Sequence, residues 1–138
     1  MANKVKNPLR IIAEIELVSS HFGTVAFDEK NPSTVAIEKF DLPPGFNKKY
    51  SPLLLDLGIN YPRFPVQDFY IDRGLRKRGR KVSGHYFENG FMGKKYCKLG
   101  LAWYSLHLKN WKPDPHSIFN GDNLLTAIDA LYKALKTD

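Results

Sequence analysis

Residues 33–57 read STVAIEKFDLPPGFNKKYSPLLLDL, two runs of β-branched and leucine-rich residues separated by PPGFNKKY, a turn composition. TVAFD at 24–28 comes before it across DEKNP, and FYI at 69–71 follows, so the spacing predicts an antiparallel meander of four strands. Between the third and fourth strands lies INYPRFPVQ, residues 59–67, where Tyr61 and Phe64 each precede a proline and are pushed toward extended backbone. That segment is expected to cross over without pairing, its path set by Tyr61, Pro62 and Pro65.

Helical patterns flank the meander. NPLRIIAEIELVSSHF at 7–22 opens with Asn7 as an N-cap and Pro8 at the first helical position, and Ile11, Ile15, Val18 and Phe22 follow at helical spacing. A strand is the competing reading, because Ile11, Ala13, Ile15 and Leu17 also alternate with their neighbours. At the other end, NGDNLLTAIDALYKALK places Leu124, Leu125, Ile128, Leu131, Tyr132 and Leu135 on one face. Asp122 is the expected cap, and Lys133 and Lys136 suit the negative end of the dipole. From Arg73 to Asn120 there is little sustained periodicity, and so long an irregular stretch in a compact domain points to function.

Composition narrows the class. The chain has 138 residues with 43% hydrophobic and 13% aromatic content, enough for one domain that buries about two thirds of its unfolded surface. Its single cysteine excludes an internal disulfide, and the start MANKVKNPLRIIAEIELV lacks a secretory pattern. No apolar run approaches the roughly 20 residues that span a bilayer, so no membrane partner is expected and the predicted location is the cytoplasm. There is no Gly-rich phosphate loop, paired-cysteine motif or metalloprotease helix, so neither a cofactor nor a metal is implied.

The formal charge of +7 favours anionic partners, and six of the cations lie in RGLRKRGRK, residues 73–81. This run reads either as a solvated loop or as a basic arm for an acidic protein or nucleic acid. No aromatic residue interleaves it, so the stacking platform of a single-strand binder is missing.

The lone cysteine, Cys97, lies in KKYCKLGLAWYSLHLKNW at 94–111, beside Lys94, Lys95 and Lys98 and with both tryptophans. A thiol reads either as a small buried hydrophobe or as a nucleophile, and nearby cations favour its thiolate. Trp103 and Trp111 are expected to fill the underside of this segment. His85 and His107, twelve residues before and ten after Cys97, are candidate supports by proton transfer or loop orientation, and each also reads as a structural histidine. His21 and His116 read as structural alone.

The order of helix, meander, Tyr-Pro segment, irregular stretch with the cysteine, Trp-Lys-Pro step and final helix resembles the ubiquitin-conjugating (UBC-like) α+β fold. Within that superfamily the chain is similar to the bacterial prokaryotic family E in four places: FDLPPGFN at 40–47, LLLDLGINYPRFP at 53–65, the run holding Tyr104, Ser105 and His107, and WKPDP with the DNLLTAI helix. The resemblance covers residues 8–136 and implies a single UBC-like domain over 1–138. It implies an acyltransferase in which Cys97, exposed in a shallow groove, accepts a ubiquitin-like protein as a thioester from an activating enzyme. It also implies a bacterial operon with a metalloprotease-type deconjugase and a link to phage defence. One departure stands out: GHYFENG at 84–90 has no Pro-Asn after His85, so the oxyanion-supporting His-Pro-Asn motif of eukaryotic relatives is missing, and Asn89 could stand in only from another register.

Two functions therefore compete, a thioester carrier on Cys97 and a noncatalytic adaptor of the same fold that binds a ubiquitin-like protein or another partner. Nucleic-acid binding through residues 73–81 is the weakest reading.

Overall fold

In the structure, a computed structural model, residues 4–82, 84–89 and 94–138 are described. Helix α1, Pro8–Phe22, settles the helix-or-strand ambiguity: Ile11, Glu14, Ile15 and Val18 are buried on one face. Pro8 occupies the first turn, where its missing N–H is not needed. Asn7 is the N-cap residue by position only, because its side-chain amide donates to the Tyr61 carbonyl at 3.3 Å.

Strands β1 (Val25–Ala26), β2 (Thr34–Asp41), β3 (Tyr50–Asp56) and β4 (Asp68–Asp72) are successive antiparallel neighbours, as the meander requires. The segment at 59–67 does not cross over, since it joins strands that pair directly, Leu55 opposite Phe69. The stretch from 73 to 120 is more regular than expected. It contributes β5 (Arg76–Lys77), β6 (Arg80–Lys81), β7 (Tyr86–Phe87), one turn of 3-10 helix at Lys95–Leu99, and β8 (Leu101–Tyr104). Strand β8 pairs with β4, and β7 with β8, so among the described residues the sheet has six strands in the order β1-β2-β3-β4-β8-β7. Two-residue strands carry no period, and LAWY is apolar on both faces, so neither alternates in sequence. Residues 83 and 90–93 of this stretch lie outside the described residues.

The sheet has two unlike faces. Val35, Ile37, Leu53, Leu55, Phe69, Ile71, Ala102 and Tyr104 turn inward, where they form one core with α1 and with helix α2, Leu124–Thr137. Each fully buried aliphatic or aromatic side chain contributes roughly 1.5 to 3 kcal/mol by leaving water. The opposite face carries the row Ala36, Leu54, Tyr70, Trp103 and Phe87, aligned by strand register. Only in β4 are four successive residues, Asp68 to Ile71, all buried, so something covers its outer face as well. That cover is the segment containing Cys97.

Helix α2 is capped by Asn123, one residue later than expected. The Asn123 side chain accepts the Thr126 N–H at 3.1 Å while the Thr126 hydroxyl oxygen accepts the Asn123 N–H at 2.9 Å, a reciprocal box. Asp122 instead accepts the Lys112 N–H at 2.7 Å and closes the preceding loop. The far end of α2 is held by Lys77, whose ammonium donates to the carbonyls of Leu135, Lys136 and Asp138 at 2.9, 2.7 and 2.5 Å.

The basic run is thus an ordered hairpin rather than a solvated flexible loop. Arg78 and Gly79 take positive φ of 51° and 76° in the two-residue turn between β5 and β6, the geometry of a type I′ hairpin. The hairpin docks on the 45–47 turn through Arg78 N–H to the Gly45 carbonyl (2.7 Å) and Asn47 N–H to the Arg76 carbonyl (2.9 Å). Arg76 pairs with Glu88 at 3.2 Å.

Candidate active site

Cys97 sits in the middle of the 3-10 helix Lys95–Leu99, which Gly100 closes in the left-handed region at φ 83°. Lys98, Leu99 and Gly100 are exposed, Leu99 at 69%, whereas Cys97 is 4% exposed. The expected open thiol is therefore corrected: the turn packs against the sheet, with Tyr96 on Tyr70 of β4, and its smallest side chain is covered.

Contacts from the sheet make that seat. Lys94 enters with its ammonium 3.0 Å from Asp68 and 4.5 Å from the centre of the Trp103 ring. Tyr96 meets Tyr70 edge-on at 5.1 Å, and its hydroxyl lies 3.1 Å from that of Thr34. Arg73, the residue after β4, donates to the Cys97 carbonyl at 2.6 Å. Among the described residues the hydrogen bonds of Cys97 all run through its backbone, to Lys94, Gly100 and Arg73. Burial pushes the Tyr70 phenol well above its ordinary range, and the charges of Asp68 and Asp56, with Cys97 behind them, push it the same way. Tyr70 is thus a neutral phenol beneath the turn.

Of the two candidate histidines, His85 lies at the β7–β8 edge and His107 follows β8 in the chain. The His85 carbonyl accepts the Ser105 N–H at 2.8 Å, and its ring is 6.3 Å from that of Tyr104. His107, two residues beyond Ser105, is exposed. The structure brings His85 beside the run that holds His107, but among the described residues neither forms a hydrogen bond with Cys97. Asn89 is exposed, lining a cavity of about 320 Å³ with Val82, Phe87 and Glu88. Trp103 lies at the segment as expected, stacked on Phe87 at 5.1 Å. Trp111 does not: it packs on Tyr61 and donates from Nε1 to the Pro62 carbonyl at 2.7 Å.

Asp68, Tyr70, Tyr96 and Arg73 were not singled out in the sequence reading. A signal existed for the first two, since DFYID alternates and sets Asp68, Tyr70 and Asp72 on one face. Arg73 is one of six cations in its run, and nothing local sets it apart. Among the described residues no cluster of histidine, cysteine or carboxylate side chains could hold a metal ion, and no helix is long and apolar enough to cross a membrane.

The chain was compared with protein families, curated proteins and solved structures. No curated protein and no solved structure matches it. Residues 16–138, which include the meander, the cysteine turn and α2, match the family described as prokaryotic E2 family E, and the chain belongs to that family.

Proposed function

We propose that the protein is a ubiquitin-conjugating-like acyltransferase that carries a ubiquitin-like protein on Cys97. The observation behind this reading is the family match, which spans the chain's one cysteine and the turn around it. In the first step the Cys97 thiolate attacks the thioester carbonyl of an activating enzyme, a tetrahedral oxyanion forms, and the activating enzyme's thiolate leaves. In the second an amine of the target attacks the new thioester, loses a proton and expels the Cys97 thiolate. The second step needs more help, because amine attack requires both deprotonation and stabilisation of the oxyanion. His107 is assigned to that second step, and His85 is its weaker companion. In the same proposal the protein works in the cytoplasm, in a bacterial pathway linked to phage defence.

One observation favours a second reading, a noncatalytic adaptor that binds a ubiquitin-like protein: Cys97 is 4% exposed. The missing His-Pro-Asn motif points the same way. The two readings separate when the chain is mixed with its activating enzyme, ATP and the ubiquitin-like protein. A carrier yields an adduct that collapses on adding thiol, and Cys97→Ser yields one that survives thiol but yields to mild base. No adduct with a partner of verified activity favours the adaptor.

A further inference from the structure

The 3-10 turn around Cys97 does not hold itself in place. The bonds at its two ends are Cys97 N–H to the Lys94 carbonyl at 3.1 Å and Gly100 N–H to the Cys97 carbonyl at 3.3 Å. Turns this short have poor hydrogen-bond geometry and little stability alone. What fixes it is tied to β4. Asp68 begins that strand and Arg73 follows its last residue, so the two lie about 16 Å apart along it at the rise of a strand. Asp68 grips Lys94 where the segment enters, and Arg73 grips the Cys97 carbonyl at its middle. Tyr70, midway along β4, supports Tyr96 between the two ties. Both ties are charge-assisted, and each side-chain partner comes from outside the segment.

We propose that Arg73 and the Lys94–Asp68 ion pair are positioning residues for Cys97, a clamp at both ends of β4 whose release brings the thiol to solvent without unfolding the core. The inference rests on the thioester-carrier reading for its purpose, since attack on a bulky protein thioester requires an exposed sulfur. The released segment is short, its outer residues already face water, and the core face of the sheet is untouched. Opening of this kind belongs to the low-stability end of a protein's local motions.

Alkylation of the full chain with iodoacetamide reads the clamp without any partner protein, and the single cysteine makes the signal unambiguous. The wild-type thiol is expected to react far more slowly than a cysteine in an unstructured peptide. Arg73→Ala and Lys94→Ala should each raise the rate about tenfold, the effect of losing one charge-assisted hydrogen bond, and Arg73→Lys should restore part of the protection. In low urea these rates should stay nearly constant, because a local opening exposes little surface. A wild-type thiol as reactive as the free peptide overturns the clamp. So do unchanged rates in both alanine variants, or increases that climb with urea as global unfolding does. If the wild type forms the thiol-sensitive adduct while both variants alkylate at the wild-type rate, the clamp falls and the carrier survives. If the rates behave as stated and no adduct forms, the clamp stands and the carrier reading falls.

Discussion

Glu14 is fully buried in α1, yet every part of its carboxylate is used. Arg10 donates from Nε at 2.9 Å, the Tyr61 hydroxyl at 2.6 Å, and the Leu124 N–H at the start of α2 at 2.7 Å. One residue thus joins both helices to the 59–67 loop, and burial followed by the Glu14 charge pushes the Tyr61 phenol far above its ordinary range. Glu14→Ala takes the carboxylate from a half-buried Arg10, which keeps only the Asp114 carbonyl, and strips the Tyr61 hydroxyl and the Leu124 N–H of their acceptor, so it should cost about 3 to 5 kcal/mol and lower Tm by roughly 10 °C or more in a thermal melt. A loss under about 1 kcal/mol would mean that this network matters no more than a surface ion pair. Gly121 is a second residue with no substitute, because a Cβ there would lie 2.6 Å from both the Asp114 nitrogen and the Lys112 oxygen. Both are backbone atoms, so Gly121→Ala should destabilise by about 1 to 3 kcal/mol, measured by urea unfolding. Neither role was legible in the sequence. A glutamate amid a helical apolar stripe reads as solvent-facing, and Gly121 reads as ordinary turn composition. Cys97 was located in sequence, but its burial was not, because exposure depends on what Lys94 and Tyr96 find on another strand.

At the scale of elements, patterns with a clear period were legible. Ile11, Ile15 and Val18 predict α1, Leu124 to Leu135 predict α2, and β-branched or leucine-rich runs bounded by turn residues predict β2 and β3. Asp122 and Asn123 are both good caps one position apart, so only the geometry separates them. Strand β8 escaped because its outer residues, Leu101 and Trp103, are as apolar as the inward pair Ala102 and Tyr104. The basic hairpin shows how tertiary partners turn a charged run into an ordered element. Its link to Glu88 has a pH signature. Burial alone would raise the Glu88 carboxyl, but the Gly74 N–H and the Arg76 guanidinium outweigh it and hold the group below its ordinary value of 4.5. A carboxyl lowered on folding adds stability above its unfolded pKa and loses that contribution as pH falls through the folded one. Glu88→Gln should therefore be slightly less stable than wild type at neutral pH, by under about 1 kcal/mol, and the Tm difference should shrink as pH drops below 4.5. A difference that stays constant into acid would assign the effect to packing instead.

At the scale of the molecule, the helices take one face of the sheet and leave the other to the cysteine turn. The chain's +7 charge is partly spent on structure, since Arg73, Arg76, Lys77 and Lys94 all hold elements together. The fold class and the family were legible because they rest on the order of periodic segments. The candidate site was marked in the sequence only by the position of Cys97, because the ties around it join residues far apart in the chain. The central claim is that Cys97 carries a ubiquitin-like protein, and intact-mass analysis of the reconstituted reaction tests it most directly. Thioester formation joins the two proteins with loss of one water, so the account predicts a species at the sum of both masses less water, with the bond mapped to Cys97 and reversed by thiol. Cys97→Ala should show no such species. An adduct that persists on the Ala variant, or no adduct on the wild type beside an activating enzyme that has itself been loaded, would contradict the account.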